Sequence, residues 1–189
     1  MLEDSALETA DDTSLMDQVR AGRGDLVGLL FDRHHRPLYG FFVNLTRNGP
    51  LSEDLCQEVF LRVLRYAPSF RVGSAFRPWL YQIARNVLVD HQQRLRPQAP
   101  LEAAEQLQDP QPGAQALAIA QADVARLGQA LARLPLEKRE LLLLSRDPEF
   151  STQELAGLYG CTPGALKVRV HRALNDLRTH FFAHQEVTP

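Results

Sequence analysis

Between Ser151 and Arg178 the chain reads STQELAGLYGCTPGALKVRVHRALNDLR, two helices around one tight turn. Ser151 is a strong N-cap, and Glu154 stands at the reciprocal position of a capping box, so a helix over about 152–159 is expected. Gly160 accepts the left-handed backbone that ends such a helix. Thr162 then caps a second helix whose first residue, Pro163, gives up no needed amide donor. That helix should run to about His180. Few backbone arrangements satisfy all of these signals at once.

The faces of the second helix narrow its use. Leu166, Val170, Leu174 and Leu177 recur at helical spacing and point inward. A rotation of about 100° per residue puts Gly164, Ala165, Val168, Arg172 and Asn175 on the opposite side, flanked by Lys167, Arg169 and His171. Small and apolar residues there allow close approach to base edges, where Ala165 or Val168 meets a thymine methyl. Arg172 suits guanine, and Lys167 and Arg169 suit phosphates. Basic charge alone would also fit a solvated bundle helix. The capped turn turns the reading towards a DNA-binding helix-turn-helix.

Upstream, helical spacing dominates, and the expected class is all-α. Helices are expected over about 14–21, with Asp12-Thr13-Ser14 as cap, and over about 25–46, stopped by Asn48-Gly49-Pro50. Others follow over about 53–66 with Ser52 as cap, and over about 76–95 after a loop at 67–75. Residues 97–113 hold Pro97, Pro100, Pro110, Pro112 and Gly113 and read as linker. Helical spacing resumes near Gln115 to Arg133, and Pro135 opens a helix through Ser145. The expected division is a disordered acidic tail at 1–13, a helical domain at 14–96, a flexible linker at 97–122, a helix-turn-helix domain at 123–182 and a tail at 183–189.

Net charge is only −2, but it is segregated. Residues 1–17 hold Glu3, Asp4, Glu8, Asp11, Asp12 and Asp17 without a basic residue. Residues 71–96 hold Arg71, Arg77, Arg85, Arg94 and Arg96 against Asp90 alone. The connector is acidic again and the last helix basic, which suggests two contacts along one polyanion. No apolar run approaches the roughly 20 residues of a membrane span, and the acidic N-terminus lacks the basic-then-apolar order of a signal peptide, so a cytoplasmic protein without stable membrane insertion is expected. Cys56 and Cys161 lack metal-ligand spacing and read as buried thiols of a reducing compartment.

Two further surfaces stand out. The helix around residue 60 has an apolar face of Leu55, Cys56, Val59, Phe60, Val63 and Leu64. Its other side shows Glu53, Asp54, Gln57, Glu58, Leu61 and Arg65. An acidic stripe with an apolar residue at its edge suits a basic partner helix, although a plain solvated face would look similar. The helix over 76–95 turns Phe76, Leu80, Ile83, Ala84, Val87 and Leu88 inward and Gln82, Arg85, Asn86, Val89 and Gln93 outward, with Arg77 and Trp79 near its start. Arginines, amides and an aromatic beside a loop suit single-stranded DNA. Trp79 would serve equally as a core indole. Asp90 would repel phosphate and is expected to pair with Arg94, Arg77 or Arg85.

Ser52–Leu61 (SEDLCQEVFL) and Phe76–Asp90 (FRPWLYQIARNVLVD) together resemble region 2 of bacterial sigma factors of the extracytoplasmic-function (ECF) type. Gly164–Ala173 (GALKVRVHRA) resembles their region 4. The resemblance spans about 25–96 and 125–180, in the family's order. It implies an alternative sigma factor that binds core RNA polymerase and directs promoter recognition and transcription initiation. Region 2 would dock Glu53, Asp54, Gln57, Glu58 and Leu61 on the polymerase clamp coiled coil. The fourth helix (Arg77, Trp79, Gln82, Arg85, Asn86, Val89) and the 67–75 loop would capture the melted minus-10 strand. Region 4 would set Gly164, Ala165, Lys167, Val168, Arg169, His171 and Arg172 in the major groove at the minus-35 element. It implies no cofactor, no metal and no catalytic residue, and it implies an anti-sigma factor, membrane-tethered, held against the two helical domains. Val168 departs from the small hydroxyl residue usual in the family, and Gln92 and Gln93 stand where arginine is common.

Two rival readings differ in class. A free-standing helix-turn-helix regulator would explain residues 151–178 but leave Ser52–Leu61 and Phe76–Asp90 without a task. An enzyme would need an organised cluster. His34 and His35 are adjacent and point about 100° apart, Cys56 lies on an apolar face, and no phosphate-binding glycine loop or paired carboxylates occur.

Overall fold

The computed structural model describes Leu7, residues 9–95 and residues 115–183. Among these the secondary structure is helical throughout, without a strand, in agreement with the all-α expectation. No described helix is long and apolar enough to cross a membrane. The chain divides into two units between Ala104 and Glu105.

The N-terminal unit contains α1 (Asp12–Arg20), a 3-10 turn at Gly24–Leu26, α2 (Val27–Thr46), α3 (Gly49–Tyr66), a 3-10 turn at Ala67–Ser69 and α4 (Phe76–Leu95). The helices α2, α3 and α4 pack in succession, with α1 laid against α2, α4 and the Ala67–Ser69 turn. Leu30, Leu38, Phe42, Cys56, Val59, Val63, Phe76 and Leu80 are essentially excluded from solvent. Each large apolar side chain so buried contributes about 1.5–3 kcal/mol. All six residues expected to face inward on α4 do so, and Tyr81 joins them.

One helix start and one residue's burial differ from the sequence reading. Asn48-Gly49-Pro50 does stop α2, whose C-cap Arg47 turns left-handed at φ 56°, but it also starts α3: Asn48 accepts a hydrogen bond from the Leu51 amide at 3.0 Å. Ser52, expected as the cap, lies inside α3, fully buried, with Oγ donating to the Asn48 carbonyl at 2.7 Å. Leu64, assigned to the buried face, is 43% exposed.

The acidic tail expected to be disordered through residue 13 is folded at its end. Asp11 caps α1, accepting from the Ser14 amide at 2.9 Å. Asp12 accepts from Arg33 Nη1 at 2.8 Å and sits 2.6 Å from His34 Nε2. A charged run with partners across the fold loses the solvation argument for disorder. Residues 1–6 and Glu8 lie outside the described residues, as do Arg96, residues 97–114 of the expected linker and 184–189 of the C-terminal tail.

The C-terminal unit contains α5 (Gln115–Ala132), α6 (Leu136–Ser145), α7 (Thr152–Leu158) and α8 (Pro163–Phe182). Helicity begins at Gln115, where helical spacing resumes, so residues 115–122 are helix rather than linker. The long α8 packs against α5, α6 and α7. Its inward residues Val170, Leu174 and Leu177 close on Leu131, Leu134 and Leu142, together with Ala173, which the spacing did not single out and which is fully buried. Lys138 and Asp176 pair between α6 and α8. Tyr159 donates to the buried Glu140 at 3.2 Å, tying the end of α7 to α6.

Candidate nucleic-acid interface

The turn between α7 and α8 forms as its residues dictate. Ser151 Oγ accepts from the Glu154 amide at 3.1 Å, and the Glu154 carboxylate accepts from the Ser151 amide at 2.8 Å. Gly160 adopts φ +57°, and its missing side chain removes the strain other residues would meet there. Thr162 Oγ1 accepts from the Ala165 amide at 3.2 Å, and Pro163 occupies the first helical position. These contacts aim α8 with Leu166 buried and Gly164, Ala165, Lys167, Val168, Arg169, His171 and Arg172 all exposed. Val168 is 49% exposed, an apolar side chain left in water on a helix otherwise free to bury it. Asn175 lies 3.1 Å from His171 Nε2, one turn along the same strip.

A second surface belongs to α4. Its outward residues Asn86 and Val89 are exposed, and Arg77, Trp79, Gln82 and Arg85 are partly so. Trp79 is neither a core indole nor a free ring. Its edge meets the buried Phe70 at 5.1 Å between centroids, with Phe76 at 6.1 Å. One face of the aromatic cluster is thus anchored while Trp79 keeps partial access to solvent. The Arg77 guanidinium lies 5.6 Å over the Tyr81 ring, which holds the cation at the helix start. Gln82 Nε2 reaches Asn86 Oδ1 at 3.4 Å, aligning two amides along the helix. Between Phe70 and α4, Arg71, Val72 and Gly73 stand exposed in a turn closed by the Ser74 amide on the Arg71 carbonyl at 3.0 Å.

The acidic stripe of α3 is less uniform than its sequence suggests. Asp54, Gln57 and Leu61 are exposed, Leu61 by 60%. Glu53 pairs with His35 at 3.0 Å, and Glu58 accepts from Arg62 Nε at 2.7 Å. Arg62 also reaches Asp90 at 2.7 Å, a partner on α3 that the sequence reading did not name. Near this stripe a cleft of about 180 Å³ between α3 and α4 is lined by Leu51, Asp54, Glu58, Val87, His91 and Arg94.

His34 and His35 turn to separate partners, Asp12 and Glu53. Hydrogen bonding from His34, with that from Arg33 behind it, holds the Asp12 carboxyl below its ordinary range. Burial, helped by the charge of Glu53, pushes the Cys56 thiol up to about 12 and keeps it protonated. Both cysteines are unbonded, Cys56 buried and Cys161 half-exposed.

The family model for Sigma-70 region 2 matches residues 30–97. That for Sigma-70, region 4 matches residues 125–177. The chain is 36% identical over 165 residues to the RNA polymerase sigma factor CarQ of Myxococcus xanthus, covering 86% of this chain and 93% of that one. It is 31% identical to the ECF RNA polymerase sigma factor SigX of Bacillus subtilis, covering 80% and 81%. The fold resembles the sigma factor RpoE of Bartonella quintana, solved in complex with the anti-sigma factor NepR, with a TM-score of 0.63 and 24% identity over 79% of this chain and 92% of that one. With both matched regions in order and the CarQ relative spanned almost end to end, the chain belongs to the sigma-70 family and is an ECF RNA polymerase sigma factor, a protein of promoter recognition and transcription initiation.

Proposed function

We propose that this sigma factor grips a promoter at two points while held on core RNA polymerase. The observation that carries this reading is the presence, in one chain, of an exposed strip on α8 behind a capped turn and an arginine–aromatic surface on α4. The α8 strip enters the major groove of the upstream element. Arg172 reads a base edge, Ala165 and Val168 meet methyl groups, and Lys167 and Arg169 hold phosphates. Gly164 lets the backbone come close, and His171 flanks the strip.

The α4 surface takes the downstream element as a single strand. Trp79 offers a ring for an unstacked base, Gln82 and Asn86 offer amide edges, and Arg77 and Arg85 attract the backbone. Val89 extends the apolar surface. Unpairing costs a few kcal/mol per base, and capture of an extruded base offsets it. The chain therefore works by binding in the cytoplasm, without a bond-making step of its own. Docking on the polymerase falls to Asp54, Gln57 and Leu61, with Glu53 and Glu58 contributing charge while their inner oxygens stay bonded to His35 and Arg62. An anti-sigma factor that covers α4 and α8 would silence both contacts at once.

Transcription reconstituted with core polymerase tests the reading. Asp54→Ala with Leu61→Ala should lower holoenzyme formation while the C-terminal unit's contribution to upstream duplex binding stays intact. Undiminished affinity for the polymerase would remove α3 as the docking element.

A further inference from the structure

The N-terminal helix α1 precedes the region 2 match, which begins at residue 30. Its position gives it a task. Leu15, Met16 and Val19 are buried against the bundle. At its first turn two adjacent residues, one of them through His34, reach the C-terminal end of the Arg71–Ala75 segment. Asp12 holds the His34 ring, and that ring packs on Phe76, where the segment joins α4, at 5.4 Å between centroids. Thr13 Oγ1 donates to the Ser74 carbonyl at 3.3 Å.

The segment itself is a tight turn. Its hydrogen bond closes from Ser74 to Arg71, and Gly73 at the third position adopts φ +71°, the arrangement that positive φ at that position marks. It leaves Val72 66% exposed, two residues after Phe70, whose ring contacts Trp79. Ser74 supplies both the amide that closes the turn and, in the next peptide unit, the carbonyl that accepts from Thr13. A hold on Ser74 from α1 thus acts, from outside the segment, on the turn that carries Arg71 and Val72.

We propose that Thr13 is a positioning residue for base selection: α1 fixes the turn that presents Arg71 and Val72 to the extruded strand. The inference rests on the strand-capture reading of α4. Thr13 touches no DNA itself; its hydroxyl sets where Val72 stands.

The test presents holoenzyme, reconstituted with the full chain, with a random pool of single-stranded DNA and sequences what is retained. Thr13→Val removes the hydroxyl and keeps the shape. It should flatten the preference at one base position by about two- to tenfold, the range one hydrogen bond supplies, with polymerase affinity and unfolding midpoint unchanged. Thr13→Ser, which keeps the donor, should restore the preference. Val72→Ala is the reference change in the turn itself. If Val72→Ala alters the selected bases and Thr13→Val does not, α1 has no part in selection. If neither does, the turn is not a capture element, and the reading beneath falls with the inference. A chain that fails to fold with both Thr13→Val and Thr13→Ala assigns Thr13 to stability and also overturns the proposal.

Discussion

Arg62 on α3 reaches Asp90 on α4 at 2.7 Å while it holds Glu58 at the same distance, so one guanidinium joins two carboxylates across a helix pair. The arginine is 12% exposed and its partners 40% and 44%, which leaves the carboxylates partly solvated. Arg62→Met should cost about 1–2 kcal/mol, more than an exposed pair and less than a fully buried one. Urea denaturation measures it, and a loss below about 0.5 kcal/mol would mean that water already supports both carboxylates.

Asp12 gives a pH dependence of known sign. Its carboxyl is held below the unfolded value of about 3.9, first by His34 and then by Arg33. The stability it confers is whole above that unfolded value and drains as pH falls through the lower folded one. Asp12→Asn should therefore be less stable than wild type at neutral pH, by about 1–2 kcal/mol. The gap should close below about pH 4. Paired melts across that range check it; a gap independent of pH would deny the pair its ionic character.

The two cysteines should react differently. Cys56 is buried and its thiol is pushed up to about 12, so almost no thiolate exists near neutrality. Cys161 is half-exposed in the turn before α8. Iodoacetamide at about pH 8 should add one group to the folded chain and a second only in denaturant. Mass spectrometry of peptides reports which thiol is modified, and early labelling of Cys56 would contradict its burial.

The α8 strip predicts two kinds of loss. Arg172→Ala should cost about 1–3 kcal/mol and relax selection at one base pair of the upstream element. Lys167→Ala should weaken binding to all sequences and lower the salt slope by about 1. Holoenzyme affinity measured on a set of single-base promoter variants at several salt concentrations separates them. Equal losses on every sequence for Arg172→Ala would reassign it to phosphate.

Replacing Gly160 isolates the turn. Its φ of +57° strains a residue that carries a β-carbon, yet beyond the adjacent residues no atom lies within 4 Å of where one would stand. Gly160→Ala should thus cost about 1 kcal/mol through backbone strain alone. A much larger loss in thermal melts would reveal a clash that the open space does not predict.

What the sequence disclosed and what it hid divide along one physical line. The caps at Ser151, Glu154 and Thr162 act within three residues, so their hydrogen bonds are written in local spacing. The inward faces of α4 and α8 follow from helical periodicity. Ser52 has the same chemistry as Ser151, but Asn48 lies four residues before it and takes the cap, leaving the serine to be buried. The pairing of Asp90 with Arg62 spans 28 residues, and that of Asp12 with His34 spans 22. Nothing in a linear pattern favours those partners over nearer arginines. Ala173 escaped notice because a methyl group carries little hydropathy signal, although its smallness is what lets α8 come close to its neighbours.

The reciprocal cap at Ser151 and Glu154 and the Thr162 cap satisfy their helix starts from within, without help from a ligand. The proposed reading head is consequently preorganised. Little chain entropy remains to be lost when it seats in the groove, so encounter with the duplex, hastened by the charge of Lys167 and Arg169, should set its association rate.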